Sequence, residues 1–271
     1  MPSGFITSYI NVAQLALYAF WIFFAFLVIY LRREDKREGY PLESDRSARA
    51  PRVKVVGWPS PPAPKTFLLP HGQGTRQKPE PAVAPGPIPP GTKLKAAWPG
   101  APLVPTGDPM REGVGPASYA NRDDVPDLAI SGKPKIVPMR VATDFSVEPT
   151  DPDPRGMTVF AADGKAAGTV VDLWVDRAEP RILYFEVALK GSTETEAGTP
   201  AGNNPLLPYG FARVQFGKKR IEVSSIMSDQ FEHVPRTASD EQITRLEEDR
   251  ICAYFASGHL YAHPSRQEPL I

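Results

Sequence analysis

The sequence predicts one membrane-spanning helix followed by a cytoplasmic, mainly-β domain, a small antiparallel barrel with a C-terminal helix. Three observations carry that prediction. The first thirty-one residues hold no charged side chain, seventeen of the 32 prolines fall between Pro41 and Pro109, and short β-like runs separated by turn residues begin near Met157.

The uninterrupted apolar run is Val12 to Leu31, twenty residues. At about 1.5 Å per residue it reaches roughly 30 Å, the thickness of a hydrocarbon core. Asn11 and Gln14 sit near its start, and Tyr9, Tyr18, Trp21 and Tyr30 supply the amphipathic rings that favour headgroup levels. Arg32, Arg33, Glu34, Asp35, Lys36, Arg37 and Glu38 follow at once. Four basic residues directly after the run and none before it place residues 1–10 on the periplasmic side, the helix at 11–32, and the rest in the cytoplasm. A cleaved signal peptide would need a basic start, a shorter apolar run and a small-residue cleavage site, and this segment has none of them. A buried core helix would carry charges on a solvent face, whereas every face here is apolar or aromatic. The exit cluster is first a topology signal. Its Arg32, Arg33 and Lys36 are also candidates for anionic lipid headgroups, weakened by the interleaved acids.

Residues 33–110 read as an extended, proline-rich surface segment, because that density of proline excludes regular helix and central strand. Trp58, Phe67, Leu68, Leu69 and Trp98 are apolar groups that a solvated linker seldom keeps, so the segment is expected to lie against a partner surface. The globular part is expected over 111–271, with its barrel at about 155–228. Met157 to Ala161 and Gly168 to Val175 flank a tight turn at Asp163-Gly164. Ile182 to Leu189 follows, then the polar loop Gly191 to Asn204, then Leu206 to Gln215 and Arg220 to Ile226. Ser239-Asp240-Glu241-Gln242 fits a capping box with Ser239 as N-cap, so a helix is expected at about 239–255 with Ile243, Leu246, Ile251 and Tyr254 on its apolar face and Gly258 as its stop.

The formal net charge is +0, which offers no basic stripe for nucleic acid. The single cysteine, Cys252, excludes an internal disulfide and agrees with a reducing compartment. His259 and His263 are four apart, but Gly258 and Pro264 bracket them and no third ligand is in view, so no metal site is assigned. His71-Gly72-Gln73-Gly74-Thr75-Arg76 lacks the Lys-Ser/Thr ending of a phosphate loop. No nucleophile, base and oxyanion hole assemble, and the chain reads as a partner-binding subunit rather than an enzyme.

Four stretches share one family's pattern: Tyr30 to Glu43, Pro64 to Gly72, Gly107 to Tyr119 and Leu246 to Tyr254. With them the chain closely resembles the H chain of the purple-bacterial photosynthetic reaction centre. That resemblance implies a PRC-barrel for the cytoplasmic domain and a subunit that binds no pigment or other cofactor itself. It implies a place in the bacterial inner, intracytoplasmic membrane, capping the L and M chains, with the anchor helix packed against M. Those chains would hold bacteriochlorophyll, bacteriopheophytin, quinones and a non-haem iron. Membrane lipids, an antenna ring and a cytochrome subunit are further partners it suggests, and it implies stabilisation of the quinone region and help in moving protons to the secondary quinone.

Asp176 and Glu179 match the positions where the family places acids leading toward that quinone, although Asp and Pro favour such a strand-to-strand turn in any case. The chain departs from the family between Leu128 and Lys135. Well-known members carry an Asp and two His there, at a surface proton entry and metal-inhibition site, whereas this chain has Ala129, Ser131 and Lys133. That cluster is not carried over. Asp123, Asp124 and Asp127 lie just upstream and read as a solvated acidic loop. The alternative is a single-pass membrane adaptor whose PRC-barrel has no connection with photosynthesis, since such modules also occur in RNA-maturation proteins.

Overall fold

Helix α1 runs from Val12 to Arg37, five residues beyond the predicted end of the span. Asn11 caps it, its side chain accepting from the Gln14 N–H at 2.7 Å. It is the one helix among the described residues long and apolar enough to cross a membrane, and Phe23, Phe26 and Trp21 are more than half exposed along it. The extension past Leu31 is helical because Arg, Glu and Lys propagate helix and Glu34 pairs with Arg37 at 2.9 Å, three residues on.

The computed structural model describes residues 11–40, 57–79, 88, 90–98, 101–190 and 204–267. The predicted periplasmic stretch 1–10 and nearly all of the polar loop 191–204 lie outside these. The chain divides into two compact units, Met1–Pro87 with Ala96–Ala101, and Ile88–Lys95 with Pro102–Ile271.

In the first unit the proline-rich segment is more regular than expected. β1 (Lys65–Leu68) and β2 (Thr75–Lys78) form an antiparallel hairpin around a turn in which His71 takes a φ of 56°. Proline spares both strand interiors, which is why the composition of the whole segment misjudges this part of it. The glycine-rich run that lacks a phosphate loop's ending supplies the hairpin's turn, closed by Leu69 N–H donating to the Gly74 carbonyl at 2.9 Å.

The second unit opens with another antiparallel pair, β3 (Thr92–Leu94) and β4 (Leu103–Pro105), and a single helical turn, α2 (Pro109–Glu112), capped by Asp108. Its main sheet contains β5 (Ile136–Pro138), β6 (Thr158–Phe160), β7 (Ala166–Asp176), β8 (Arg181–Leu189), β9 (Leu206–Pro208), β10 (Ala212–Gln215) and β11 (Arg220–Val223). The order is β10-β11-β6-β7-β8-β9, with β5 also paired to β7. Two features depart from a plain antiparallel meander. β5 was not anticipated, since a three-residue strand ending in proline has no alternation to read. β6 pairs with β11 in parallel, which curls the first strand of the meander onto its last. The predicted strand from Leu206 to Gln215 is broken by a 3₁₀ turn at Tyr209–Phe211.

The sheet wraps a core in which Val159, Leu173, Phe185, Val187, Leu207 and Ile221 are fully buried. Gly168 sits where β7 meets the Ala188 backbone of β8 too closely for a side chain. At the edge of this core Arg140 donates to Asp172 at 2.9 Å and Glu186 at 2.7 Å, and the Trp174 indole donates to Glu186 at 3.0 Å. Two buried carboxylates therefore share one guanidinium, which also reaches the Asp240 carbonyl.

Helix α3 spans Arg245–Tyr261, displaced from the expected 239–255. Its capping box is Thr244 with Glu247, five residues later than Ser239 with Gln242. Ser239 instead accepts from the Glu241 N–H at 3.1 Å in a local turn. Gly258 is interior to the helix because its bare face lets α3 lie on the Ser225 carbonyl, where a methyl group would come to 2.5 Å of the oxygen. Ile243, Leu246, Ile251 and Tyr254 are buried as their spacing predicts.

Candidate functional site

Asp176 is the last residue of β7 and is 1% exposed. Its Oδ1 accepts from the Ala178 and Glu179 N–H groups at 2.8 and 3.1 Å, the Asx turn that Asp favours at such a bend. Its Oδ2 is buried without a hydrogen-bond partner and lies 3.4 Å from Lys135 Nζ. Lys135 is brought there by strand pairing: Ile136 of β5 stands opposite Asp176, and the Arg177 N–H donates to the Lys135 carbonyl at 2.9 Å.

Glu179, three residues on, belongs to a different environment. It is exposed and pairs with Arg181 at 3.2 Å. The two predicted acids are thus neighbours in the chain, one sealed into the turn and one at the surface.

An open cavity of about 760 Å³ lies against Asp176, lined also by Asp127, Lys135, Arg181, Tyr184, Glu248 and Cys252. Glu248 of α3 accepts from the Tyr184 hydroxyl of β8 at 3.0 Å. Burial pushes the Glu248 carboxyl above the usual glutamate range; the Tyr184 hydrogen bond and Lys135 oppose the shift, and Asp127 and Asp249 add to it. Burial, with the Glu248 carboxylate beside it, holds the Tyr184 hydroxyl in its protonated form far above neutral pH. Burial also raises the Cys252 thiol. Three carboxyl groups and two cations therefore meet around one space.

Sequence reasoning singled out Asp176 and not Glu248, the acid that lines the same cavity. Of the three successive acids at the start of α3, Glu247 is used by the cap, Asp249 pairs with Arg122 at 2.8 Å, and Glu248 is left to the cavity. The usable signal was helical phase, since Glu248, Cys252 and Phe255 fall at i, i+4 and i+7 along one stripe. Asp123 and Asp124 are exposed, as a solvated loop implies, and each also fastens the start of α3: Asp123 pairs with Arg245 at 3.3 Å and Asp124 accepts from the Thr244 hydroxyl at 2.6 Å. Ala129, Ser131 and Lys133 belong to a turn whose tip, Ile130, is fully exposed, and the Ala129 N–H donates to the Lys133 carbonyl. Among the described residues no three His, Cys, Asp or Glu side chains converge as metal ligands.

At the membrane exit the three basic candidates separate. Arg33 is exposed and Arg32 is half-exposed, 3.8 Å from Asp35. Lys36 donates to the Gly57 carbonyl at 2.5 Å and to the Pro59 carbonyl.

A family profile for the photosynthetic reaction centre H-chain N-terminal region matches residues 4–141, just over half of the chain, and the PRC-barrel domain matches residues 148–230. The chain belongs to the reaction-centre H-chain family. The first match covers α1 and the proline-rich segment, so it selects an H subunit over a single-pass membrane adaptor unrelated to photosynthesis. The second covers the curled sheet from before β6 to beyond β11. Family membership carries association with the other reaction-centre subunits, and a structural part in a complex is what a chain of this family plays. The single apolar helix near the N-terminus fits a single-pass membrane protein of that complex.

Proposed function

We propose that this chain caps the cytoplasmic side of the L and M chains, stabilises the quinone region and passes protons toward the secondary quinone. The observation that supports the proton role is the cavity, where a buried Asp176 oxygen without a hydrogen-bond partner and Glu248, its carboxyl raised by burial, open onto one space.

The chemistry follows from charge. A quinone reduced by two electrons inside a low-dielectric protein must take up two protons, and these cross from the cytoplasm only where ionisable groups bridge the gap. A carboxyl raised by burial exchanges its proton nearer neutral pH than a solvated one does. Glu248 has that property, Asp176 supplies a second acceptor, and Lys135 steadies the negative charge left when either is ionised. Glu179 at the surface side, paired with Arg181, is the group suited to collecting protons from solution. In this reading the complex holds bacteriochlorophyll, bacteriopheophytin, quinones and non-haem iron in the other chains, and this chain holds none. The N-terminus is periplasmic, α1 packs against M in the intracytoplasmic membrane, and Arg32 and Arg33 meet lipid headgroups while Lys36 adds charge from its carbonyl-bound position. An antenna ring and a cytochrome subunit are further neighbours.

The test is flash-induced proton uptake by the intact complex, followed with a pH-sensitive dye. Asp176→Asn and Glu248→Gln are expected to slow it several-fold, and Glu179→Gln less. Because Glu248 donates only while protonated, wild-type uptake should fall as pH rises through its elevated pKa, and Glu248→Gln should flatten that fall. Unchanged rates and pH profiles in both buried variants would refute the proton role.

A further inference from the structure

The β1–β2 hairpin has no core of its own, since all eight strand residues are exposed. An isolated two-stranded hairpin is marginal in water, so something else must hold it. Part of the answer is the end of α1. Arg37, 8% exposed, donates to the Ala63 and Lys78 carbonyls, Glu34 pairs with Lys65 at 2.9 Å, and Lys36 binds the Gly57 and Pro59 carbonyls.

These tethers fix a depth. The Lys65 ammonium lies 6.0 Å from the centre of the Tyr30 ring, and Tyr30 is the penultimate residue of the apolar run. Arg37 follows Leu31 by about 9 Å along the helix axis, which is close to the thickness of a headgroup layer. The hairpin therefore starts at the hydrocarbon edge and extends through the headgroup level. At that depth the hairpin displays Phe67, 48% exposed, and Leu68, 84% exposed, on its two faces, and Trp58, ahead of it in the chain beside the Gly57 carbonyl that Lys36 binds, is 78% exposed. Phe67 shares the strand face that carries Lys65 to Tyr30. The segment from Gly57 to Pro79 also contains Lys65, Arg76 and Lys78 and no acidic residue.

We propose that the β1–β2 hairpin and Trp58 form an interfacial foot that seats in the lipid headgroup layer beside α1, its apolar side chains in the acyl boundary and its positive charge facing anionic phospholipid. Exposed aromatic and aliphatic groups interleaved with cations are the composition that binds such an interface. Continuity with a helix suited to span the bilayer, and the absence of acids, favour a bilayer over the partner surface that the apolar groups alone suggest. The inference rests on α1 as a membrane span.

The complex is reconstituted in nanodiscs of phosphatidylglycerol bearing a photoactivatable acyl chain, irradiated, and its adducts mapped by peptide mass spectrometry. Adducts are expected on α1 and on the peptide containing Phe67 and Leu68. Leu68→Asp, at an exposed position that folding does not need, should lower the hairpin yield about tenfold and leave α1 unchanged. Adducts on α1 with none on the hairpin, or a hairpin cross-linked only to a neighbouring polypeptide, would overturn the foot while the span stands. A hairpin yield indifferent to Leu68→Asp would overturn it too. Absence of adducts from both would remove the span itself.

Discussion

The membrane-proximal unit and the β domain arrange their side chains in opposite senses. Along α1 the large apolar groups are turned outward, with Phe26 68% and Ile22 60% exposed, and the one buried residue is a cation, Arg37. In the β domain Val159, Leu173 and Phe185 are sealed and most charges lie outside. The physics is the same in both. Apolar surface leaves water in each case, but α1 finds its apolar phase in the bilayer and the sheet finds its own in itself. Charge then does the fastening where no core exists. The hairpin beside α1 hangs from Arg37, Lys36 and Glu34, whereas the β domain uses its buried Arg140, Asp172 and Glu186 only to lock elements that packing already holds.

The comparison breaks most visibly at aromatic side chains. Phe185→Ala should lower the stability of the β domain by about 3–5 kcal/mol in chemical denaturation, whereas Phe26→Ala should leave that transition in place. Equal effects would mean that α1 packs as part of a soluble core. A smaller effect sharpens the role of charge. Arg37→Ala leaves the Ala63 and Lys78 carbonyls short of a donor and should cost about 1–3 kcal/mol locally. Hydrogen exchange should then quicken over the hairpin while the β strands keep their protection. The smallest effect lies at the start of α3, where Thr244→Ala should cost about 1 kcal/mol and Ser239→Ala much less, read from thermal unfolding. A larger loss at Ser239 would restore the earlier capping box.

Much of the architecture was legible in the residues because it depends on local pattern. The span shows in twenty uncharged positions, and the strands β7 and β8 show in long runs of Val, Leu, Tyr and Phe. Short elements failed that test. β5 has three residues and no alternation, and the β1–β2 hairpin was hidden by prolines that flank it. The start of α3 was misread because Ser239 and Thr244 both begin a capping pattern, and only the Pro126 to Thr244 bridge, with Asp124 on the Thr244 hydroxyl, decides between them. The candidate site was half legible. Asp176 stood out at a turn, while Glu248 was one of three adjacent acids whose different fates depend on partners far away in the chain.

By itself the sequence determined that an apolar helix is long enough to cross a membrane, that basic residues follow it, and that a small β domain with a terminal helix comes after. These are properties of composition and spacing within a few residues. Tertiary structure alone decided that Asp176 is buried and Glu179 is not, that burial beside Tyr184 raises the Glu248 carboxyl, and that Lys36 and Arg37 hold a hairpin against the helix end. The reason is that burial and charge pairing are set by atoms brought together from distant segments, which no local pattern encodes.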